Sequence, residues 1–293
     1  MPACIYSTRG QDAAHPTVIP MLICGFFHFN LARPLVMGIV NATPDSFSDG
    51  GQYHHRDAAI AHAQQLLAEG ADIIDIGGES TRPGALPVSV QEELDRVMPI
   101  IEGLSGVPIS IDTFKPLVMR EAIAAGAMMV NDINALQDEA AMKIVAARKV
   151  AVCLMHKRGD PQTMQQQPHY EDVVEEVSAF LSARIAAAEA AGIARERIVI
   201  DPGFGFGKSL GHNLALLREL HRFTALGVPL LAGLSRKSML GALTGRDAVE
   251  RLPASIASAL IAVQQGAKIV RVHDVAATVD ALKILNAVSG ETV

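Results

Sequence analysis

The stretch IIDIGGESTRPGALPVSVQEELDRVMPIIEGLSGVPISI, residues 73–111, contains the unit on which the fold is built. It begins with the apolar run Ile73–Ile76, continues through a segment of helical length at Val90–Ile101, and returns to an apolar run at Ile109–Ile111. A strand, a helix and a second strand in this order are typical of two parallel strands joined by a crossover helix. The stretch therefore predicts an α/β protein with a parallel sheet.

The same unit recurs along the chain. The apolar runs are Val36–Val40, Ile73–Ile76, Ile109–Ile111, Met128–Val130, Val150–Met155, Ile198–Ile200, Leu230–Ala232 and Ile269–Val272. Helical stretches separate them, among them Arg56–Glu69, Glu171–Ala191 and Val249–Gln265. The runs lack period-two alternation, which indicates strands buried on both faces. Eight such units predict a single (β/α)8 TIM barrel. The alternative, a doubly wound open sheet, would need a G-x-G-x-x-G loop after the first strand, and that loop is absent.

The amino-terminal part of the chain precedes this rhythm. Residues 1–20 mix polar residues, Pro and Gly without periodicity, which predicts a flexible tail, so the barrel domain is placed at 21–293. Between Met21 and Val40 two apolar stretches lie around Asn30–Pro34, and this pattern predicts a β-hairpin that leads into the first barrel strand.

Composition excludes several classes of protein. With 49% hydrophobic and 19% charged residues the chain has material for one large core, and a net charge of −6 without a basic run argues against a nucleic-acid binder. The three cysteines are widely spaced and lack a Cys-x-x-Cys pair, so we expect neither disulfides nor a zinc site, and a cytoplasmic location fits best. The apolar run Val18–Phe29 is too short to span a membrane.

Polar residues follow nearly every predicted strand. They are Asn41, Glu79–Arg82, Asp112, Asn131–Asp132, His156, Asp201, Ser235–Lys237 and His273–Asp274. The carboxyl ends of barrel strands converge on one mouth, where barrel enzymes place their active sites. Some of these residues are expected only to cap helices or tie loops, but the set predicts a polar site at the mouth.

Two loops and one strand end suggest an anion site. The loop Asn41–Gly51 is either a turn with caps or a mobile lid in which the Asn41 oxygen binds Mg²⁺. In the loop Gly77–Gly84, Arg82 suits a phosphate but equally suits a carboxylate of the lid. Arg271 and His273 are two residues apart, so on a strand their side chains point the same way. Together these residues predict a diphosphate pocket.

Asp112, Asn131 and Asp201 end three different strands at buried positions, where acids are costly unless they accept hydrogen bonds. The amino-amide edge of a pterin offers two adjacent N–H donors of the right kind. Alternatively, these acids pair with Lys237 or Lys208 inside the barrel. The run Asp201–Lys208 lacks the Walker spacing, which argues against nucleotide binding, and Ser235–Ser238 follows the seventh strand, where barrels often bind phosphate.

Taken together, the motifs resemble those of the dihydropteroate synthase family, in the same order along the chain and over about residues 21–289. They are Asn41–Gly51, Gly77–Ala85, Ile111–Thr113, Asn131–Ile133, Met155-His156 with Met164-Gln165, Asp201–Lys208, Gly233–Ser238 and Arg271–Asp274. Eight ordered motifs are far more specific than any one of them.

The resemblance implies a reaction and a set of roles. The reaction would join a pterin pyrophosphate to 4-aminobenzoate, with Mg²⁺ as cofactor, in a homodimer that sulfonamides inhibit. The pterin would be bound by residues matching Asp112, Asn131, Asp201, Lys237, Met155 and Phe206. The pyrophosphate and its Mg²⁺ would be bound by those matching Asn41, Arg271 and His273, and the aminobenzoate by those matching Thr81, Arg82, Pro83, Phe47, Ser235 and Lys237. Among these, Asp112, Lys237 and Asn41 are the candidate catalytic residues.

Two other functions stay open from the residues alone. A pterin-dependent methyltransferase also places acids and Asn at a barrel mouth, although we would not expect it to carry all of these loops together. A binding-only paralogue would retain the fold and the pterin pocket without the synthase activity.

Overall fold

The computed structural model describes residues 21–43, 52–80, 85–159, 164 and 168–289, with 52–55 described by their helical backbone alone. The strands are β1 Met21–Cys24, β2 Phe27–Asn30, β3 Leu35–Asn41, β4 Ile73–Gly77, β5 Ile109–Asp112, β6 Met129–Asp132, β7 Ala151–Met155, β8 Ile198–Asp201, β9 Leu231–Ala232 and β10 Ile269–Val272. The helices are α1 Gln52–Ala68, α2 Val90–Gly103, α3 Pro116–Ala124, α4 Glu139–Ala146, α5 Val173–Ala190, α6 Leu210–Arg218, α7 Ser238–Thr244, α8 Leu252–Gln264 and α9 Val275–Ser289.

Eight parallel strands form the barrel that the sequence predicts. Their order is β8-β7-β6-β5-β4-β3-β10-β9, and a parallel bridge between Ile200 and Leu230 joins the two ends of the sheet. A backbone hydrogen bond from Ile200 to Pro229, 3.0 Å long, supports this closure. The (β/α)8 prediction is thus confirmed, as is the amino-terminal hairpin formed by β1 and β2.

Alternating side chains along the strands build two cores. Residues such as Val36 and Ile74 face outward and pack in the larger core between the barrel and its helices. Residues such as Met37 and Ile73 face inward and form a second core in the lower barrel, together with Leu22, Cys24 and Leu31 of the hairpin region. The hairpin therefore covers the lower end of the barrel, at the amino ends of the strands. The polar side chains lie at the upper end, at the carboxyl ends of the strands.

The position of the hairpin turn differs from the prediction. The sequence places it around Asn30–Pro34, whereas the turn is at Gly25 and Phe26, between Cys24 and Phe27. Gly25 has φ +58°, a left-handed conformation that glycine adopts without strain. The signal was missed because this glycine lies inside an apolar run, while the more obvious turn residues follow the second strand.

Helix ends shift by a few residues for identifiable reasons. The helix predicted from Glu171 begins at Val173, because the Asp172 carboxylate accepts hydrogen bonds from the backbone of Val174 and Glu175. The helix predicted from Val249 begins at Leu252, with Pro253 in its first turn.

The predicted tail, residues 1–20, lies outside the described residues. Among the described helices, none is both long and apolar enough to cross a lipid bilayer.

Candidate active site

The carboxyl ends of the strands surround a cleft with about 420 Å³ of empty space, part of it open to solvent. Eight of the predicted site residues line it: Asp112, Asn131, Met155, Asp201, Phe206, Ser235, Lys237 and Arg271. Ile39, Ile133 and Gly233, which the sequence did not single out, complete the lining. Residues from seven strands or the loops that follow them thus converge on one pocket, as expected for a barrel mouth.

Arg271 lies between two carboxylates at the base of this cleft. Its Nε donates to Asp75 Oδ2 at 2.6 Å, and its Nη2 donates to Asp112 Oδ2 at 2.6 Å. Although burial opposes the charge, the two carboxylates raise the pKa of Arg271 above its usual value. The sequence predicts Arg271 as a cation for a diphosphate, but its charge is already matched by the two acids.

Asp75 is the residue that sequence reasoning missed. It lies in β4 inside a run that was interpreted as apolar throughout, and its side chain is fully buried. Besides Arg271, it accepts a hydrogen bond from Asn131 Nδ2 at 3.1 Å. The available signal was a single acid within an apolar strand, because a buried carboxylate requires nearby donors.

The buried surroundings also change the pKa of Asp112. Burial raises its pKa to about 7, and the negative charges of Asp75 and Glu93 add to this effect. The cations Arg271 and Lys237 offset part of the rise. Asp112 therefore titrates near neutral pH in the unliganded cleft.

Lys237 also lines the cleft. Its ammonium donates to the Phe204 carbonyl at 2.8 Å and lies 4.2 Å from the centroid of the Phe206 ring. Burial lowers its pKa to about 8, and the negative charge of Asp201 partly counters this effect. This cation–π contact places an ammonium donor beside an aromatic ring in the lining of the cleft, a combination that suits a planar polar ligand.

The loop that carries Phe206 is fixed by buried polar groups. Asp201 Oδ1 accepts the Gly203 N–H at 2.7 Å, and burial raises the pKa of Asp201. Lys208 donates to the carbonyls of Gly203 and Phe206 at 2.9 and 3.0 Å and lies 3.0 Å from His156 Nδ1. Lys208 is thus committed to holding the loop and does not line the cleft.

The alternative in which one or more of the acids Asp112 and Asp201 pair with Lys237 or Lys208 is not realised as a direct ion pair among the described residues, although the charges of both lysines counteract the rise in the pKa of Asp201. Asp112 pairs with Arg271, and the ion pairs of the described residues include none between Lys237 or Lys208 and either acid. Asp201 keeps its second oxygen, Oδ2, on the side of Gly233, which lines the cleft.

Side-chain contacts with Asp274 and His273 hold the Ser235–Lys237 turn in place. Arg236 has φ +58°, a strained conformation for a residue with a side chain, and its guanidinium binds Asp274 through two hydrogen bonds of 2.6 and 3.1 Å. Ser235 Oγ lies 3.0 Å from His273 Nδ1. His273 therefore adjoins the cleft by contacting Ser235, which lines it.

Asn41 ends β3 opposite Gly77, at the rim of the barrel mouth. Within the described residues no cluster of three His, Cys, Asp or Glu side chains suits a resident metal. A single amide oxygen fits Mg²⁺ that arrives with a diphosphate, because this ion usually keeps several waters and few protein ligands. The predicted residues Phe47, Thr81, Arg82 and Pro83 lie outside the described residues.

Comparisons with known proteins agree on one family. The model of the family described as "Pterin binding enzyme" matches residues 37–273. A dihydropteroate synthase of Escherichia coli K12 is 51% identical over 261 residues, covering 88% of this chain and 93% of the relative. A Xanthomonas albilineans dihydropteroate synthase solved with 4-aminobenzoic acid is 55% identical, with a TM-score of 0.88 over 93% of this chain and 99% of that one. The structure of the same enzyme with 7,8-dihydropteroate is 53% identical, with a TM-score of 0.85 over 92% and 99%.

Proposed function

Because the chain belongs to the dihydropteroate synthase family of pterin-binding enzymes, we infer that it is a transferase of folate biosynthesis. It condenses 6-hydroxymethyl-7,8-dihydropterin pyrophosphate with 4-aminobenzoate to give 7,8-dihydropteroate and pyrophosphate. The observation that carries this function is the cleft itself, where oxygen acceptors face a lysine stacked on a phenylalanine ring. A pterin presents a planar ring, and its N–H donors match the oxygen acceptors of this cleft.

Each polar residue of the cleft has a distinct part in binding the pterin. Asp201 Oδ2 and the Asn131 amide accept hydrogen bonds from the amino-amide edge, and Lys237 donates to the ring's acceptors. Met155 and Phe206 cover the two ring faces. Since these groups are buried and held by the barrel, little conformational entropy is lost when the ring binds.

The reaction is a substitution at the methylene carbon of the pterin. The carbon–oxygen bond to pyrophosphate breaks, the carbon–nitrogen bond to 4-aminobenzoate forms, and the amine releases one proton. The ring shares the positive charge that develops on the carbon, and the ionised Asp112 stabilises this charge. No covalent intermediate with the protein is required.

The departing diphosphate needs positive charge that the described residues do not fully supply. Arg271 is paired with two carboxylates, so with Asp112 ionised this trio of side chains carries a net negative charge. When bound with the substrate, Mg²⁺ would neutralise the charge of the leaving diphosphate. The Asn41 oxygen is its proposed protein ligand, and His273 lies beside Ser235 as a further diphosphate contact.

The aminobenzoate site borders the pterin at Ser235 and Lys237. Its other predicted residues are Phe47, Thr81, Arg82 and Pro83, which follow β3 and β4 in the sequence. A carboxylate substrate suits Arg82 and the Ser235 hydroxyl as donors. Sulfonamides mimic this substrate, so they should compete with it.

A homodimer is proposed through the late helices. Leu252 and Ile261 of α8 and Ile284 and Val288 of α9 are exposed apolar residues on two helices that pack together. Light scattering of the purified protein should give twice the chain mass of 31.0 kDa.

A cytoplasmic location is also proposed, since Cys24 and Cys153 are free and buried.

The test is pyrophosphate release by the purified protein with the pterin pyrophosphate and Mg²⁺, with and without 4-aminobenzoate, and with detection of dihydropteroate. Product that requires both substrates is the expected result. Pterin binding without product would instead identify a binding-only paralogue. The Asp112→Asn variant should bind the pterin but fail to release pyrophosphate, and normal turnover would reject the role of Asp112.

A further inference from the structure

Asp75 makes its contacts one layer below the cleft. It lies in β4 beside Ser110 of β5 and two residues before the strand end, and its side chain is fully buried. A single oxygen, Oδ2, accepts from both Arg271 Nε and Asn131 Nδ2. Asp75 does not line the cleft, but both of its partners do. It can therefore influence a ligand only through them.

The contact with Asn131 fixes which end of the amide faces the ligand. A carboxylate paired with an arginine accepts hydrogen bonds and cannot donate them. The Asn131 NH₂ group must therefore turn toward Asp75, which directs its oxygen to the other side. Without this contact the amide has two similar orientations, and one of them presents an N–H donor where the pterin also presents donors.

The contact with Arg271 fixes the guanidinium plane. Asp75 binds Nε from below, and Asp112 binds Nη2 at the level of the cleft, both at 2.6 Å. Two carboxylates on different nitrogens of one planar fork leave it little rotational freedom. The position of Asp112, which stabilises the developing charge in the proposed function, depends on that plane.

We propose that Asp75 is a positioning residue that orients the Asn131 amide for the pterin and holds Arg271 in place beside Asp112. It sets the acceptor pattern of the pocket without touching the ligand. This inference rests on the proposed function, so turnover by the unaltered protein is measured first. Absence of that turnover would reject the function, whereas the variants below decide the role of Asp75.

The decisive experiment is a double-mutant cycle of Asp75→Ala and Asn131→Ala, read as kcat/KM for the pterin pyrophosphate. Asp75→Ala alone should lower kcat/KM by roughly ten- to a hundredfold, because buried donors lose their acceptor. In the Asn131→Ala background the same change should cost only a few fold, since its main route is gone. An equal loss in both backgrounds would show that Asp75 does not act through Asn131.

Asp75→Asn provides a second test that is less demanding of folding. Its amide oxygen can accept from the same two donors, while its NH₂ group takes the place of Oδ1, which has no hydrogen-bond partner within the described part of the chain. Only the charge is lost. The charged groups that face Asp112 are Arg271, Asp75, Glu93 and Lys237. Removing one of the two anions should move the acid limb of kcat/KM to lower pH by roughly one unit. An unmoved limb would overturn the part of the proposal in which Asp75 holds Arg271 beside Asp112.

Ser110→Ala is the matched control. Ser110 is fully buried in the same layer of the barrel, next to Asp75 in the register, and its hydroxyl has no hydrogen-bond partner among the described residues. Its removal should leave kcat/KM and the acid limb unchanged. If Ser110→Ala changed them as much as the Asp75 variants do, the effects would reflect disturbance of the layer, and the positioning role would be rejected.

Discussion

Replacing Lys208 with Met would remove the buried amine donor that holds the loop carrying Phe206. The Lys208 side chain is almost inaccessible, at 2% exposure for the residue, and its ammonium donates to the carbonyls of Gly203 and Phe206. Met has a similar length and fills the same space, but it cannot donate. The change therefore isolates the hydrogen bonds from the packing.

The magnitude follows from the groups left behind. Each buried carbonyl without a donor costs about 1–3 kcal/mol, and relief from burying an ammonium returns part of this, so we expect a net loss of about 2–4 kcal/mol. For a chain of this size that corresponds to a fall in Tm of roughly 5–10 °C. Because Phe206 lines the cleft, KM for the pterin pyrophosphate should rise as well.

The loss should grow with pH, which distinguishes this mechanism from simple cavity formation. Burial lowers the pKa of Lys208 to about 7 from 10.5, opposed mainly by the negative charge of Asp201. Between these values the unfolded chain binds more protons than the folded one, so the unaltered protein gains stability as pH rises. Lys208→Met lacks this gain.

Urea unfolding at several pH values between about 7 and 9 measures the difference. Lys149→Met is the control, since Lys149 is exposed. If Lys208→Met and the control unfold alike, the loop does not depend on the cation. If the destabilisation of Lys208→Met is constant or shrinks as pH rises, the burial argument is wrong.

Three shorter predictions concern the cleft and its loop. The kcat/KM for the pterin should rise as pH increases through about 7, where Asp112 ionises, and a flat profile between about pH 6 and 8 would contradict this. Lys237→Met should lower kcat/KM by about a hundredfold or more while Tm falls less than in Lys208→Met, because only one part-buried carbonyl, that of Phe204, loses its donor, and near-normal turnover would remove Lys237 from the proposed mechanism. Gly203→Ala should destabilise by about 3 kcal/mol or more in urea unfolding, because φ is +70° and the new Cβ would lie 1.9 Å from the His156 carbonyl oxygen. Gly126→Ala also has a positive φ but meets no atom within 4 Å, so it should cost clearly less.

The fold could be predicted because its signal is repeated. Eight apolar runs with helices between them leave few arrangements, and uniformly apolar runs favour a barrel over a half-exposed sheet. Details that depend on a single residue were harder to predict. The turn at Gly25 was hidden within an apolar run, and the start of α8 depends on Pro253 rather than on the hydrophobic pattern.

The site could be predicted in its membership better than in its connections. Residues at strand ends are found by position alone, so Asp112, Asn131 and Asp201 were placed in one pocket correctly. Which charges pair depends on depth within the barrel, and a sequence does not show depth directly. Arg271 was therefore expected to be available to a diphosphate, and Asp75 was overlooked, although each is the other's partner. The roles of individual residues stay predictions.

The hairpin formed by β1 and β2 has a kinetic consequence. Leu22, Cys24 and Leu31 pack into the lower barrel and close its lower end in the described part of the molecule. Ligands therefore enter and leave through the mouth. In a cleft that opens only at the mouth, the ligand that binds deeper must enter before the ligand that binds nearer the opening. It must also leave after that ligand has left. This arrangement predicts compulsory-order kinetics, with the pterin binding first.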